Sequence, residues 1–153
     1  MLYALALLAG IVAGSRTFTA PAAVSWAARL APLDLGGSWL AFMGSAWTPW
    51  IFTALALVEL IGDQLPSTPS RKTPPQFGAR LLSGALSGAT LGASGGSWIV
   101  GLVLGVIGAV IGTYGGAEIR SRMAKAFGRD TPAALIEDAG AIVLGLIIVG
   151  AAR

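Results

Sequence analysis

Apolar residues gather into five long stretches separated by short polar or proline-bearing segments, and the lengths of those stretches predict helices. The first covers residues 2–26 and is interrupted by Arg16 and Pro21. A proline inside a helix removes a backbone hydrogen bond, so Pro21 predicts a kink in one continuous helix. Asp34-Leu35-Gly36-Gly37 then makes a turn, and the apolar segment 39–47 is too brief to cross a bilayer alone. Its tryptophans, Trp39 and Trp47 with Trp50 just beyond, predict a short interfacial helix at headgroup level. Pro49 is placed to open a second helix that stops at Pro66. The stretch 66–75, PSTPSRKTPP, carries four prolines and predicts a loop. A third apolar run covers 79–93 and ends at Gly95-Gly96, and a fourth covers 98–119. Asp130-Thr131-Pro132 starts the last run, with Asp130 or Thr131 as N-cap.

Composition turns this pattern into a membrane protein. Only 11% of the 153 residues are charged while 55% are hydrophobic, too few charges to clothe a soluble domain of this size. The expected architecture is all-α: a polytopic membrane helix bundle forming one domain over 1–153, with a short interfacial helix. About five spans are expected, at 2–26, 49–65, 79–93, 98–119 and 132–152. The run 79–93 is short for a hydrocarbon core of roughly 30 Å, and tilt, re-entry or shielding inside the bundle would each accommodate it. Residues 2–13 also fit a signal-peptide core, but no Lys or Arg precedes them, so a retained span is expected. The formal charge of +3 does not point to nucleic acid, because the basic residues lie in the gaps between apolar runs. Seven of them, Arg71, Lys72, Arg80, Arg120, Arg122, Lys125 and Arg129, fall around the loops 66–78 and 120–131, against Arg16, Arg29 and Arg153 elsewhere. The positive-inside rule makes those loops cytoplasmic. Five spans then place the termini on opposite faces, with the N-terminus inside.

Cysteine and histidine are both absent, which removes disulfides, zinc and haem sites, Ser-His triads and thiol nucleophiles. Any metal would be a hard cation held by oxygens, no cofactor is implied, and no enzyme is expected. Gly84, Gly88, Gly92 and Gly96 recur every fourth residue, as do Gly108, Gly112 and Gly116, stripping one helix face of side chains. Such faces let helix backbones approach closely, as ordinary bundle packing, a dimer seam or a lined passage. Five spans with short loops make a thin bundle, for which a homodimer is the natural remedy. Gly10-Ile-Val-Ala-Gly14-Ser15 is echoed by Gly108-Ala-Val-Ile-Gly112-Thr113, and Ala56-Leu-Val-Glu59 by Ala134-Leu-Ile-Glu137. A weak inverted repeat is one reading of these echoes and chance is the other.

Charge inside apolar runs marks candidate function, because an ionisable group is costly in a bilayer. Arg16 lies among Gly14, Ser15, Thr17 and Thr19, a setting suited to an anion or to a salt bridge. Glu59 and Asp63 stand four apart on the second span, and Glu137 and Asp138 lie in the early turns of the last. These carboxylates could carry a coupling proton or a cation. Equally, Glu59 could neutralise Arg16 while Glu137 and Asp138 stabilise a helix N-terminus. Glu118 and Arg122 have the spacing of a surface pair.

Gly14-Ser-Arg16-Thr-Phe18-Thr-Ala-Pro21, Glu59-Leu-Ile-Gly-Asp63-Gln-Leu-Pro66 with Pro69-Ser-Arg71, and Glu137-Asp138 together resemble the signature of the bacterial DUF4126 family of small membrane proteins. The resemblance spans most of the chain and implies a location in the bacterial inner (plasma) membrane, without assigning an activity. It makes Arg16, Pro21, Glu59, Asp63, Pro66 and Glu137 the family-typical positions. Gly14-Ser15-Arg16-Thr17 also resembles the Gly-x-Ser-Arg-Ser element of undecaprenyl pyrophosphate phosphatases. There a glutamate-rich motif precedes the arginine motif, and here the order is reversed. The leading expectation is a transporter or channel for a small solute or ion, with Arg16, Glu59, Asp63, Glu137 and Asp138 at its binding or coupling site. Two alternatives stand beside it: a carrier or enzyme acting on a lipid phosphate, with Arg71 and Arg80 on the headgroup, and a non-catalytic scaffold. A polar cavity at membrane depth would favour the first, and a lateral opening near the arginines the second.

Overall fold

The computed structural model describes every residue except Pro32, Pro66 and Thr68, so the expected helix stop at Pro66 lies outside the described residues. Among the described residues the chain is all-α, without a strand. Its helices are α1 (Leu2–Ser15), α2 (Thr19–Leu30), α3 (Thr48–Gly62), α4 (Pro74–Ser94), α5 (Trp98–Phe127) and α6 (Asp130–Ala151), with a short 3-10 helix at Trp39–Gly44.

The first apolar run does not form one span. Arg16 takes an extended conformation, φ −139° and ψ 114°, which stops α1, and α2 turns back beside it. Two contacts fix the reversal: the Tyr3 hydroxyl donates to the Gly95 carbonyl at 2.9 Å, and the Asp34 N–H donates to Ser94 Oγ at 3.1 Å. Both the start of α1 and the chain after α2 therefore lie beside the end of α4. At 14 and 12 residues, α1 and α2 are about 21 and 18 Å long, each short of a hydrocarbon core of about 30 Å. Pro21, expected to kink the chain, does not do so. It is the third residue of α2 and fully buried, where its missing N–H removes no helical bond because first-turn N–H groups have no partner within the helix.

The remaining helices alternate in direction between two ends of the bundle. α3 opens with Pro49 in its first turn, as the sequence predicts, and carries Glu59 to the break after α1. α4 starts at Pro74, within the expected loop 66–78, because its two prolines suit the first turn of a helix. Its 21 residues reach about 32 Å, which removes the difficulty of the short third run. Ser97 caps α5 by accepting from the Val100 N–H at 3.4 Å, and Gly128 ends it with φ 69°, a left-handed conformation that favours glycine. α5 thus runs for 30 residues, about 45 Å, through most of the segment expected to be a loop at 120–131. The N-cap of α6 is Arg129, not Asp130 or Thr131.

α1 lies at the centre, parallel to α5 and antiparallel to α4. A Cβ added at Gly92 would stand 2.6 Å from Gly101 Cα, and one at Gly14 would stand 2.7 Å from the Gly112 carbonyl carbon. The α4–α5 and α1–α5 seams are therefore backbone against backbone, and Gly84, Gly88, Gly92, Gly108 and Gly112 are covered within one chain. The core toward the start of α1 is small and aliphatic: Leu5, Ala9, Val12, Val24, Leu91 and Ile148 pack together there, with Ala152 from the end of α6. Both termini consequently sit at one end, here the terminal end; the basic residues at 71–80 and 120–129 mark the other, the basic end. This corrects the five-span layout with termini on opposite faces. The proposed repeat fails for a related reason: an inverted repeat requires both matched pairs to run oppositely, yet α1 and α5 run the same way while α3 and α6 do not.

Large aliphatic side chains face outward, including Leu57 and Val58 of α3, Ile99, Val103 and Ile111 of α5, and Leu135 and Leu146 of α6. Arg16, Arg80, Ser87 and Thr90 are buried. α5 and α6 are long and apolar enough to cross a membrane.

Candidate functional site

The break between α1 and α2 exposes backbone donors that a continuous helix would have satisfied, and α3 supplies their acceptor. The Thr17 N–H donates to Glu59 Oε1 at 2.7 Å and the Phe18 N–H to Glu59 Oε2 at 2.8 Å. One carboxylate thereby caps the start of α2 from a neighbouring helix, the role a local Ser or Asp usually has. Ser83 Oγ donates to the Thr17 carbonyl, binding α4 to the same break.

Arg16 sits beneath this cap with its side chain fully buried. Nε donates to Asp138 Oδ1 at 2.6 Å, Nη2 pairs with the same oxygen, and Nη1 pairs with Asp63 Oδ2. Asp63 caps the end of α3, and Asp138 lies in the third turn of α6, so one guanidinium ties three segments distant in sequence. Gln64 Nε2 donates to Asp138 Oδ2 at 3.1 Å, satisfying the outer oxygen. Glu137 lies 3.8 Å from Arg16 Nη2 but is turned to Arg71, which holds it in a fork of 2.5 and 2.8 Å. Arg120 extends the network, reaching Glu137 at 3.4 Å and Asp130 at 2.5 and 3.0 Å. Those bonds hold the Asp130 carboxyl below its ordinary range and raise the Arg120 guanidinium further. Glu118 and Arg122 form the surface pair their spacing predicts, at 2.8 Å.

Arg80 behaves differently. Only 3% exposed, it donates from Nη1 to the Gly14 carbonyl at 3.1 Å, and its Nε has no partner. Among the described residues, no carboxylate lies within 4 Å of it. It is thus the one arginine of the cluster without an ion pair there.

All five residues expected at a binding or coupling site, Arg16, Glu59, Asp63, Glu137 and Asp138, meet at the basic end of the bundle, together with Arg71 and Arg80. The pairing differs from expectation. Arg16 is neutralised by Asp63 and Asp138, and Glu59 engages backbone instead. Glu59 and Asp63, four apart on one helix, do not form a carboxylate pair, because the broken backbone draws one and Arg16 the other. Among the described residues, no acidic cluster is arranged to hold a metal ion. Sequence reasoning did not single out Gln64, Gln76, Ser83 or the bridging role of Arg120; Gln64 follows Asp63 directly, but no spacing signal marks the others.

A polar vestibule of about 940 Å³ opens at the basic end, lined by Asp63, Gln64, Arg71, Arg80, Arg120 and Lys125 among others. A smaller cleft of about 350 Å³ lies between α3 and α4, with Leu55, Val58, Phe18 and Ala79 on its walls and Thr17 and Glu59 deeper in. Asp63 and Gln76 line both cavities. Toward the terminal end the aliphatic core around α1 closes the path.

Comparison of the chain with protein-family models, with curated proteins and with solved structures finds no match. The likeness to DUF4126 accordingly rests on the quoted motifs alone.

Proposed function

We propose that this protein is a membrane carrier for a small solute or ion, drawn here in a state open to its basic end. The observation that carries this reading is the vestibule: a polar space of about 940 Å³ floored by a buried charge network, with apolar packing on its far side. The inside-out distribution of side chains supports placement in a bilayer, since aliphatic groups face outward while guanidinium groups are buried. With the basic end in the cytoplasm, as the positive-inside rule requires, both termini lie on the opposite face, which reverses the orientation expected for the N-terminus. Trp98 and Trp39 meet edge to face at 6.0 Å near that far face, as an aromatic belt would. Gly14 meets Thr113, 15 residues along α5 from Trp98, so the charge network lies about 22 Å deep from that belt, nearer the cytoplasmic border than the mid-membrane.

A cavity open at one end suits alternating access better than a continuous pore. The site's guanidinium and carboxylate groups are engaged with one another and with backbone, an arrangement for binding and switching rather than for breaking bonds. The absence of cysteine makes the test direct. Single cysteines are introduced at Ala124, in the vestibule, and at Ser87, a buried hydroxyl one turn beyond Ser83 toward the terminal end. In oriented vesicles, a membrane-impermeant thiol reagent should label Ala124→Cys from the basic side and Ser87→Cys from the terminal side. Labelling of Ala124→Cys with Ser87→Cys silent from the terminal side under every imposed gradient would reject a carrier.

A further inference from the structure

We infer that Arg80 is the ligand-binding arginine of the site, and that its ligand is the phosphate-type head of a single-tailed amphiphile whose tail lies in the cleft between α3 and α4. The inference rests on the carrier reading and adds its substrate class.

Arg16, the residue that the sequence brings forward, is not available to a ligand. Its guanidinium is fully buried and is taken by Asp63 and Asp138. Arg71 is taken by Glu137 in a two-bond fork, and Arg120 by Asp130. Among the described residues, Arg80 is the buried arginine that lines the vestibule with one intramolecular bond, to a neutral carbonyl, and an orphaned Nε, whereas Lys125 and Arg129 are exposed and keep their hydration. A buried guanidinium without an anion is costly, and an oxyanion with several acceptor oxygens is the group that would offset that cost. The surrounding field favours the same sign of ligand. Arg71, Arg80, Arg120, Lys125 and Arg129 line the vestibule against Asp63 and Asp130, and both of those carboxylates are already held by arginine.

The tail follows from the second cavity. Asp63 and Gln76 line both the vestibule and the cleft, and Ala79, adjacent to Arg80 in sequence, lines the cleft. The outer lip of the cleft is Leu55 and Val58, which belong to the outward aliphatic face of α3, with Val58 67% exposed. A head at Arg80 would pass its tail between Asp63 and Gln76 into this cleft, whose apolar lip faces outward. Two carboxylates line the cleft, and both are engaged: Asp63 is paired with Arg16, and Glu59 has each oxygen turned to a backbone N–H of the α2 start.

The test measures binding of dodecyl phosphate and of inorganic phosphate to the full chain in a neutral maltoside detergent, by calorimetry, alongside Arg80→Gln, Val58→Trp and Gln76→Ala. Dodecyl phosphate should bind saturably and at least tenfold more tightly than inorganic phosphate. Arg80→Gln should weaken it at least tenfold. Val58→Trp, which fills the cleft from an exposed position and leaves the buried network intact, should weaken dodecyl phosphate several-fold without altering inorganic phosphate. If Arg80→Gln fails to fold, Val58→Trp and Gln76→Ala still decide the matter, since each should lower the affinity for the amphiphile. Equal binding of the two probes, insensitive to Val58→Trp, would overturn the amphiphile and leave a free oxyanion. Unchanged binding in a folded Arg80→Gln, or no binding of either probe, would overturn the site. Each of these outcomes is separate from the cysteine-labelling result, which reports alternating access whatever the ligand is.

Discussion

Arg16 is held between Asp63, at the end of α3, and Asp138 of α6, and this makes it the most stringent residue to disturb. Removing one partner of a buried ion pair leaves an uncompensated charge, at a cost of about 3–5 kcal/mol. Arg16→Ala should therefore destabilise the protein by that order in detergent unfolding. Its coupling with Asp138→Ala in a double-mutant cycle should exceed its coupling with Glu59→Ala, because Asp138 receives two of its bonds and Glu59 none. The opposite ranking would mean that the pairing is wrong. Glu59→Gln keeps the size of the side chain but turns an NH2 toward one of the two backbone donors, so a loss of about 1–3 kcal/mol is expected. At the exposed edge of the network, the depressed carboxyl of Asp130 implies a small stability contribution from its pair with Arg120. The sign is that of a lowered acid: the contribution is complete above its unfolded value of roughly 3.9 and is lost as pH falls through the lower folded one. Asp130→Asn should flatten that acid limb of a melting-temperature profile.

Helix contacts are governed by glycine, and not all glycines matter alike. At Gly105 an added Cβ would stand 2.8 Å from the Gly84 carbonyl carbon, a backbone atom that cannot move aside without shifting α4. Gly105→Ala should cost 1–3 kcal/mol or more, the range of overpacking, despite the better helix propensity of alanine. Gly115 lies on the same helix with nothing within 4 Å of an added Cβ. There the propensity gain of up to about 1 kcal/mol should appear unopposed. Thermal unfolding of both variants in one detergent provides the comparison, and equal effects would exclude the tight α4–α5 seam. These seams also use up the small-residue faces within a single chain, so the dimer expected from the sequence is not needed to cover them.

At the scale of the whole molecule, the reversal after Arg16 puts both termini at one end of the bundle, so the proposed carrier has an even number of crossings where the sequence suggests five. Tags at the two termini should therefore be accessible to protease from the same side of sealed vesicles, and a site placed at Gly128 from the other. Accessibility of the termini from opposite sides would restore the single first span. The hairpin also explains why the charge cluster lies near one end of the bundle: α1 and α2 are each short, and their junction leaves backbone groups there that need partners from other helices. Glu59 and Ser83 answer those groups, and Arg16 is drawn in behind them.

The sequence by itself determined the helical class, the positions of most apolar helices and the identity of the costly charges. These follow from local composition, since a run of apolar residues has few structural options in lipid and an isolated charge within it is conspicuous. It also brought Arg16, Glu59, Asp63, Glu137 and Asp138 forward as one group. Only the tertiary structure decided who pairs with whom, because four carboxylates and several arginines at large sequence separation have many pairings of similar local merit. The break at Arg16 was equally hidden. Residues 2–26 carry no Gly-Pro turn signal where the chain reverses, and the reversal holds because Glu59, 42 residues later, supplies the two acceptors that the broken backbone lacks. Arg80 shows the same limit from the other side: its sequence neighbourhood is that of a loop-edge basic residue, and its lack of a carboxylate becomes visible only once its neighbours Arg16, Arg71 and Arg120 have each found one.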